Sequence, residues 1–296
     1  MINIKTIAVH NGNFHSDDVF SIAILKIIYP NINVIRTRDE ELLRKADLRI
    51  DVGRKYNPEM GDFDHHQLDF KEKRKNNIPY ASAGLIWKHF ASEIIEEKWI
   101  IDYLDKRIFQ YIDADDNGKE LIELNINIYD IADIIDALNP NEEDEKTKYN
   151  DYFFKAVDFA VLLVKSEIKR AKRIYDSRKE LLTLVKNSKN KDYVVIEENI
   201  AWYETAITDT DLKFVVVESS SGGWGVSAVP KRFGRYENRM DLPAEWAGKS
   251  GKELANITGV DDAIFCHKAR FTAVAKTKEG AIKLVELALN KDDKAS

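Results

Sequence analysis

The hydrophobic pattern of the first hundred residues alternates short apolar runs with longer ones. Residues 5–10, KTIAVH, read as a short buried strand running into a polar turn, NGNFHSDD (11–18). The next run, VFSIAILKII (19–28), is apolar nearly all round, which predicts a helix buried against a sheet. INVIRTR (32–38) and ADLRIDV (46–52) repeat the strand signature with a charged segment between them. Strand, helix, strand, helix, strand is the signature of an α/β domain with a mainly parallel sheet flanked by helices. In such sheets, sites gather beyond the carboxyl ends of the strands, which is where His10 and Asp51 fall.

Further along, Ser82 is placed to cap a helix through SAGLIWKHFASEIIEEK (82–98), and a second helix is expected over about 99–112. An acidic stretch, NPNEEDEKTK (139–148), marks a boundary. After it Val157, Val161, Val164, Ile168, Ala171 and Tyr175 form an apolar stripe at helical spacing. This predicts a connector helix over 149–187, packed on its own domains or paired in a homodimer. From 192 onward DYVVIEE, KFVVVES and GWGVSAV alternate or run apolar between Gly- and Ser-rich turns. They predict a smaller α/β carboxyl-terminal domain over 188–296, closed by the helix EGAIKLVELAL (279–289). The amino-terminal domain then spans 1–148.

Composition bounds the reading. A chain of 296 residues is long for one core, so two domains are expected. With 44% hydrophobic and 32% charged residues it reads as soluble and globular. No run approaches the roughly 20 apolar residues of a membrane span, and MINIKTIAVH does not resemble a secretion signal. Cys266 is the sole cysteine, which excludes an intrachain disulfide and fits a cytoplasmic location. A formal charge of −6 argues against nonspecific coating of nucleic acid, but bound metal ions can reverse the sign locally.

Chemistry concentrates near the amino terminus. Of the six histidines, 10, 15, 65, 66 and 89 all lie in the first 89 residues. His10 and His15 stand with Asp17 and Asp18; His65 and His66 follow Asp64; Asp51 ends a strand; and IDADDNG (112–118) supplies Asp113, Asp115 and Asp116. Mixed carboxylate and imidazole donors suit Mn²⁺ or a similar first-row ion, and four segments could supply two metals sharing a carboxylate. Each piece has a plainer explanation. Asp17 could cap a helix, Asp116-Asn117-Gly118 could be turn chemistry, and His89 reads as a partly buried histidine. Two adjacent histidines beside acids rarely serve packing, so the constellation favours a metal site.

The order H-x4-H-x-D-D, D-V-G, D-H-H-Q, S-A-G-L-I-W and D-A-x-D-N-G resembles the melanocyte proliferating gene one family, a branch of the DHH phosphoesterases. R-x-D-L-P-A-E-W-A-G (239–248) and GVDDAIFCHKARF (259–271) strengthen the resemblance. It implies a DHH-type catalytic domain and a 3′–5′ RNA exonuclease. Alternatives are a small-phosphate hydrolase, such as a nucleotide phosphatase or pyrophosphatase, a non-enzymatic metal-binding module, or the older family label of metal-dependent protein hydrolase.

Carried over by motif, the resemblance implies metal ligation by His10, His15, Asp17, Asp51 and His65, with either Asp113 or Asp116 as a further ligand. His15-Ser-Asp17 stands where the superfamily usually has Asp-x-Asp, which puts His15 in question as a ligand. His66 would contact phosphate, and Asp64 would orient a histidine. Arg239, Trp246, His267, Lys268 and Arg270 are the implied substrate residues, with Trp246 as a stacking face. The implied cofactors are two divalent ions, Mn²⁺ foremost, with Mg²⁺ or Co²⁺ as alternatives. The implied partner is RNA or a short oligonucleotide. KEKRK (71–75) could track an RNA backbone or form a solvated loop, and SSSGGWG (219–225) could approach phosphate or form a plain hairpin turn.

Overall fold

The structure is a computed structural model describing residues 4–119, 128–140, 148–197, 199–219, 222–233 and 237–292. Most of the acidic boundary stretch, 141–147, and two serines of SSSGGWG, 220–221, lie outside the described residues. The chain divides into two compact units, Met1–Ala171 and Lys172–Ser296.

The first unit is built on a sheet of β1 (Thr6–Val9), β2 (Asn33–Arg36), β3 (Leu48–Ile50), β4 (Tyr56–Asn57) and β5 (Asp62–Phe63), in the order β2-β1-β3-β5-β4. All pairings are parallel except that of the short edge strand β4 with β5. Helix α1 (Ser16–Ile28) crosses between β1 and β2, and its first ten residues are all buried. The charged segment that follows β2 is helix α2 (Glu40–Lys45), whose Asp39 cap accepts the N–H groups of Glu41 and Leu42.

Helix α3 (Ser82–Phe90) packs against α1. It is shorter than the apolar pattern suggests. The expected second helix is α4 (Lys98–Leu104) and α5 (Gln110–Asp116), joined by a π-helical turn over Asp105–Phe109. Consequently Asp113 and Asp116 sit on the last turn of a helix rather than in a loop. Helix α6 (Ile131–Asp136) and the first part of α7 (Tyr149–Asn187) complete the unit.

Helix α7 carries the expected stripe: Val157, Val164, Ile168 and Ala171 are buried and Val161 is half-buried. Beyond Ala171 the buried face passes through Ile174, Ser177 and Leu181, leaving Tyr175 at 38% exposure.

The second unit holds β6 (Tyr193–Ile196), β7 (Phe214–Glu218), β8 (Trp224–Ala228), β9 (Ala263–Cys266) and β10 (Thr272–Ala275), in the order β6-β7-β8-β10-β9. Only β6 and β7 are parallel. The helices are α8 (Tyr203–Asp209), α9 (Gly251–Thr258) and α10 (Lys278–Asp292), the last packed on the sheet. Between β7 and β8, Ser219 N–H donates to the Gly223 carbonyl, and Gly222 and Gly223 are both left-handed. A Cβ at Gly223 would lie 2.4 Å from the Ala275 carbonyl oxygen, so glycine is required by close approach.

Candidate metal centre

The site forms where β1, β3 and β5 end, in the first unit. His10 follows β1, and its Nε2 lies 3.1 Å from Asp18 Oδ2 and 3.3 Å from Asp51 Oδ2. Asp51 follows β3 and is held at φ 50°, a left-handed conformation uncommon for a residue with a side chain. Such strain clusters at functional sites, because the surrounding structure must impose it. Asp64 follows β5, accepting the Arg54 N–H at 2.7 Å and the His66 N–H at 2.9 Å. Asp64 Oδ1 also lies 2.8 Å from His66 Nδ1, which is 3.3 Å from Asp51 Oδ1.

His65 points Nε2 at three carboxylates: Asp116 at 3.0 Å, Asp51 at 3.7 Å and Asp17 at 4.0 Å. That buried nitrogen makes no hydrogen bond of acceptable geometry to any of them. Two overlapping donor groups result, Asp51–His65–His66 and Asp17–His65–Asp116, each with its ligand atoms within 4.8 Å of one another. Carboxylate oxygens converging on a buried imidazole nitrogen that makes no hydrogen bond fit a divalent cation of the mixed N/O type. These groups could hold metal ions.

The amino terminus of α3 fixes two of the acids. Ser82 and Ala83 donate their N–H groups to Asp17 at 3.0 and 2.6 Å, and Gly84 donates to Asp113 at 2.9 Å. Unpaired amides and the helix dipole stabilise both carboxylates. Ser82 therefore does not cap α3 itself; its hydroxyl lies 3.5 Å from Asp51 Oδ1. The two candidates on α5 have different surroundings. Asp113 faces Gly84 and Arg74, whereas Asp116 turns to His65.

Charge balance in the site is extreme. Burial would push His10 down, but hydrogen bonds to Asp18 and Asp51 and their charges carry it up to about 10. Hydrogen bonds to Asp51 and Asp64 also raise His66 to about 10. Burial would raise Asp51, yet its contacts with His10 and His66 hold it well below the usual range. Asp17 is pushed far up, first by burial and then by the charges of Asp116 and Asp51. An acid cluster of this density is stable at neutral pH only with added positive charge, from protons or from a cation.

His15 precedes α1 as its cap residue and is exposed, its ring centroid 5.8 Å from that of His10. It lines the same cleft, a cavity of about 1010 Å³, but belongs to neither donor group.

The residues expected to hold substrate lie in the second unit. Trp246 is fully buried in the core of the second unit, so its ring is closed to a stacking base. Arg239 donates to the carbonyls of Leu212 and Ile207, at 2.9 and 2.8 Å, and braces its own fold. Arg270 pairs with Asp241 at 2.7 Å. His267 accepts the Ala269 N–H within the β9–β10 turn, where Lys268 is exposed. Within KEKRK, Arg74 is buried under the Tyr80 ring and bound to Asp105 and Asp113, which removes it from any RNA track. Sequence reasoning named Asp18 beside Asp17 without giving it a role, and missed Arg74 as part of the site. Asp18 was legible as a possible capping-box partner of His15, whose N–H it accepts at 2.8 Å. Arg74 carried no sequence signal, because a charge run looks alike whether solvated or buried.

A family model, MYG1_exonuc, described as "Uncharacterised protein family (UPF0160)", matches residues 6–289. A protein named MYG1 protein from Dictyostelium discoideum is 31% identical over 98% of both chains. The Homo sapiens protein named MYG1 exonuclease is 27% identical, over 96% of this chain and 85% of that one. A MYG1 protein from Chlamydia trachomatis serovar D is 29% identical over 96% of each chain. With the match running through both compact units and every segment of the site, the chain belongs to the MYG1 family.

Proposed function

We propose that this protein is a metal-dependent phosphodiesterase, an exonuclease removing nucleotides from the 3′ end of RNA. The observation that carries the reading is the convergence of Asp17, Asp51, His65, His66 and Asp116 into two donor groups sharing His65. The name exonuclease carried by mammalian relatives points the same way.

In this reading Asp51 is the central carboxylate, with one oxygen toward His10 and the other toward His65 and His66. His10, Asp17, His65 and Asp116 complete the ligand set. When bound, two divalent ions of the Mn²⁺ type would lower the pKa of an attacking water and neutralise charge on the phosphoryl oxygens. The residues do the positioning. Asp64 fixes the His66 ring by accepting from its backbone and lying against its Nδ1, which leaves Nε2 for a phosphate oxygen. The α3 amides hold Asp17 from behind. A cleft of about 1010 Å³ holds far more than one phosphate group, which favours a nucleotide substrate over pyrophosphate.

The test uses RNA labelled at its 5′ end, with Mn²⁺ or chelator, and wild type beside Asp51→Ala. A ladder shortening from the 3′ end, lost in chelator and in the variant, is the expected result. Absence of cleavage while Mn²⁺ still binds would remove RNA as the substrate.

A further inference from the structure

We infer that Arg54 binds a backbone phosphate of a polymeric substrate, at the threshold between the metal cleft and a second groove. The inference rests on the phosphodiesterase reading and specifies a substrate that extends beyond the scissile phosphate.

Three observations lead there. The first is conformational. Arg54 has φ 53° and follows Gly53 at φ 97°, two left-handed residues in succession. This turn delivers the Arg54 backbone N–H to Asp64 Oδ2 at 2.7 Å, which helps orient the Asp64–His66 pair. A glycine would make the same hydrogen bond without crowding at Cβ, and glycine is the default residue in this conformation. The turn needs the backbone and not the side chain, so an arginine held there has a use for its guanidinium.

The second is placement. Arg54 lines the cleft of about 1010 Å³ that holds Asp51, His66 and Asp116, and also a neighbouring groove of about 730 Å³. The two cavities share Glu40, Leu43, Gly53 and Arg54, so Arg54 stands at their common edge. A single nucleotide fits within the first; a chain leaving it can continue into the second.

The third is charge. The metal cleft is dominated by carboxylates. In the second groove Arg44, Arg54 and Lys55 face Glu40 and Asp69, while Arg49 is taken up by Asp62. Among the described residues, no carboxylate pairs with the exposed Arg54 guanidinium, which leaves its planar donor fork free for phosphate.

The experiment measures anisotropy of fluorescein-labelled oligouridylate in excess chelator, so that binding is read without turnover. Wild type, Arg54→Gly and Arg54→Lys are compared, together with their thermal midpoints. Loss of one charge-assisted phosphate contact is expected to weaken binding about tenfold in Arg54→Gly. The salt dependence should become shallower by roughly one phosphate contact, and Arg54→Lys should recover part of the loss. The thermal midpoint of Arg54→Gly should stay within about 2 °C of wild type, whereas a structural arginine would lower it clearly. Wild type that fails to bind in chelator, or Arg54→Gly that binds as wild type does, overturns the assignment. Failure of wild type to hydrolyse any phosphodiester with Mn²⁺ would instead sink the function reading, and the binding comparison would stand apart from it.

Discussion

The Arg74 guanidinium lies 2.8 Å from Asp113 Oδ2, with both side chains buried, and Asp113 in turn accepts the Gly84 N–H at the start of α3. A loop, a helix end and a helix start are thereby locked together beside the candidate metal-binding groups. Arg74→Met should leave the buried Asp113 carboxylate without its cation and cost about 3 kcal/mol or more of stability. Urea denaturation monitored by tryptophan fluorescence measures this. A loss below about 1 kcal/mol would show that Asp113 finds compensation elsewhere.

Gly84 supplies a second test. Helical Gly→Ala changes usually stabilise by about 1 kcal/mol. Here the added Cβ would fall 2.0 Å from Asp113 Oδ2, so the sign should reverse. Gly84→Ala is expected to lower the thermal midpoint and weaken Mn²⁺ binding by displacing α3, whose amides hold Asp17. An unchanged midpoint would mean that α3 and α5 shift apart freely.

Metal binding should release protons. Contacts with aspartates carry His10 and His66 up to about 10, so both imidazolium forms dominate at neutral pH without metal. A cation taking their place must displace those protons, and affinity should therefore rise with pH and fall on acidification. The same raised values mean that their stabilisation of the metal-free fold is fully present below about 6.5 and is lost as pH rises through about 10. Titration calorimetry in buffers of different ionisation enthalpy reads the proton release directly. Affinity independent of pH near neutrality would rule this balance out.

Cys266 should be inert in the folded protein. Burial pushes its thiol up to about 11, partly offset by Arg270. Reaction with an aromatic disulfide reagent at pH about 8 should be slow until denaturant is added. Rapid native labelling would mean that the edge strand β9 opens readily.

What the sequence by itself determined was local. Alternation of short and long apolar runs fixed the order of β1, α1, β2 and β3, because burial on both faces leaves its mark on every residue of an element. Clustering of histidine with aspartate disclosed the site, since those side chains have no reason to gather in a core. His10 and Asp51 follow β1 and β3, at the edge where a parallel sheet opens its sites.

Tertiary structure decided which charges meet. Asp113 and Asp116 are equivalent in IDADDNG, and only the packing of α5 against α3 turns one to Arg74 and Gly84 and the other to His65. Arg74 and Lys75 are neighbours in one basic run, yet one is buried and the other exposed. Trp246 looked like a stacking surface in sequence and proved to be core. The physical reason is common to all three. Hydrophobic burial is written in each residue's own side chain, whereas the partner of a charge, and the solvent exposure of an aromatic ring, are properties of residues brought together from distant parts of the chain.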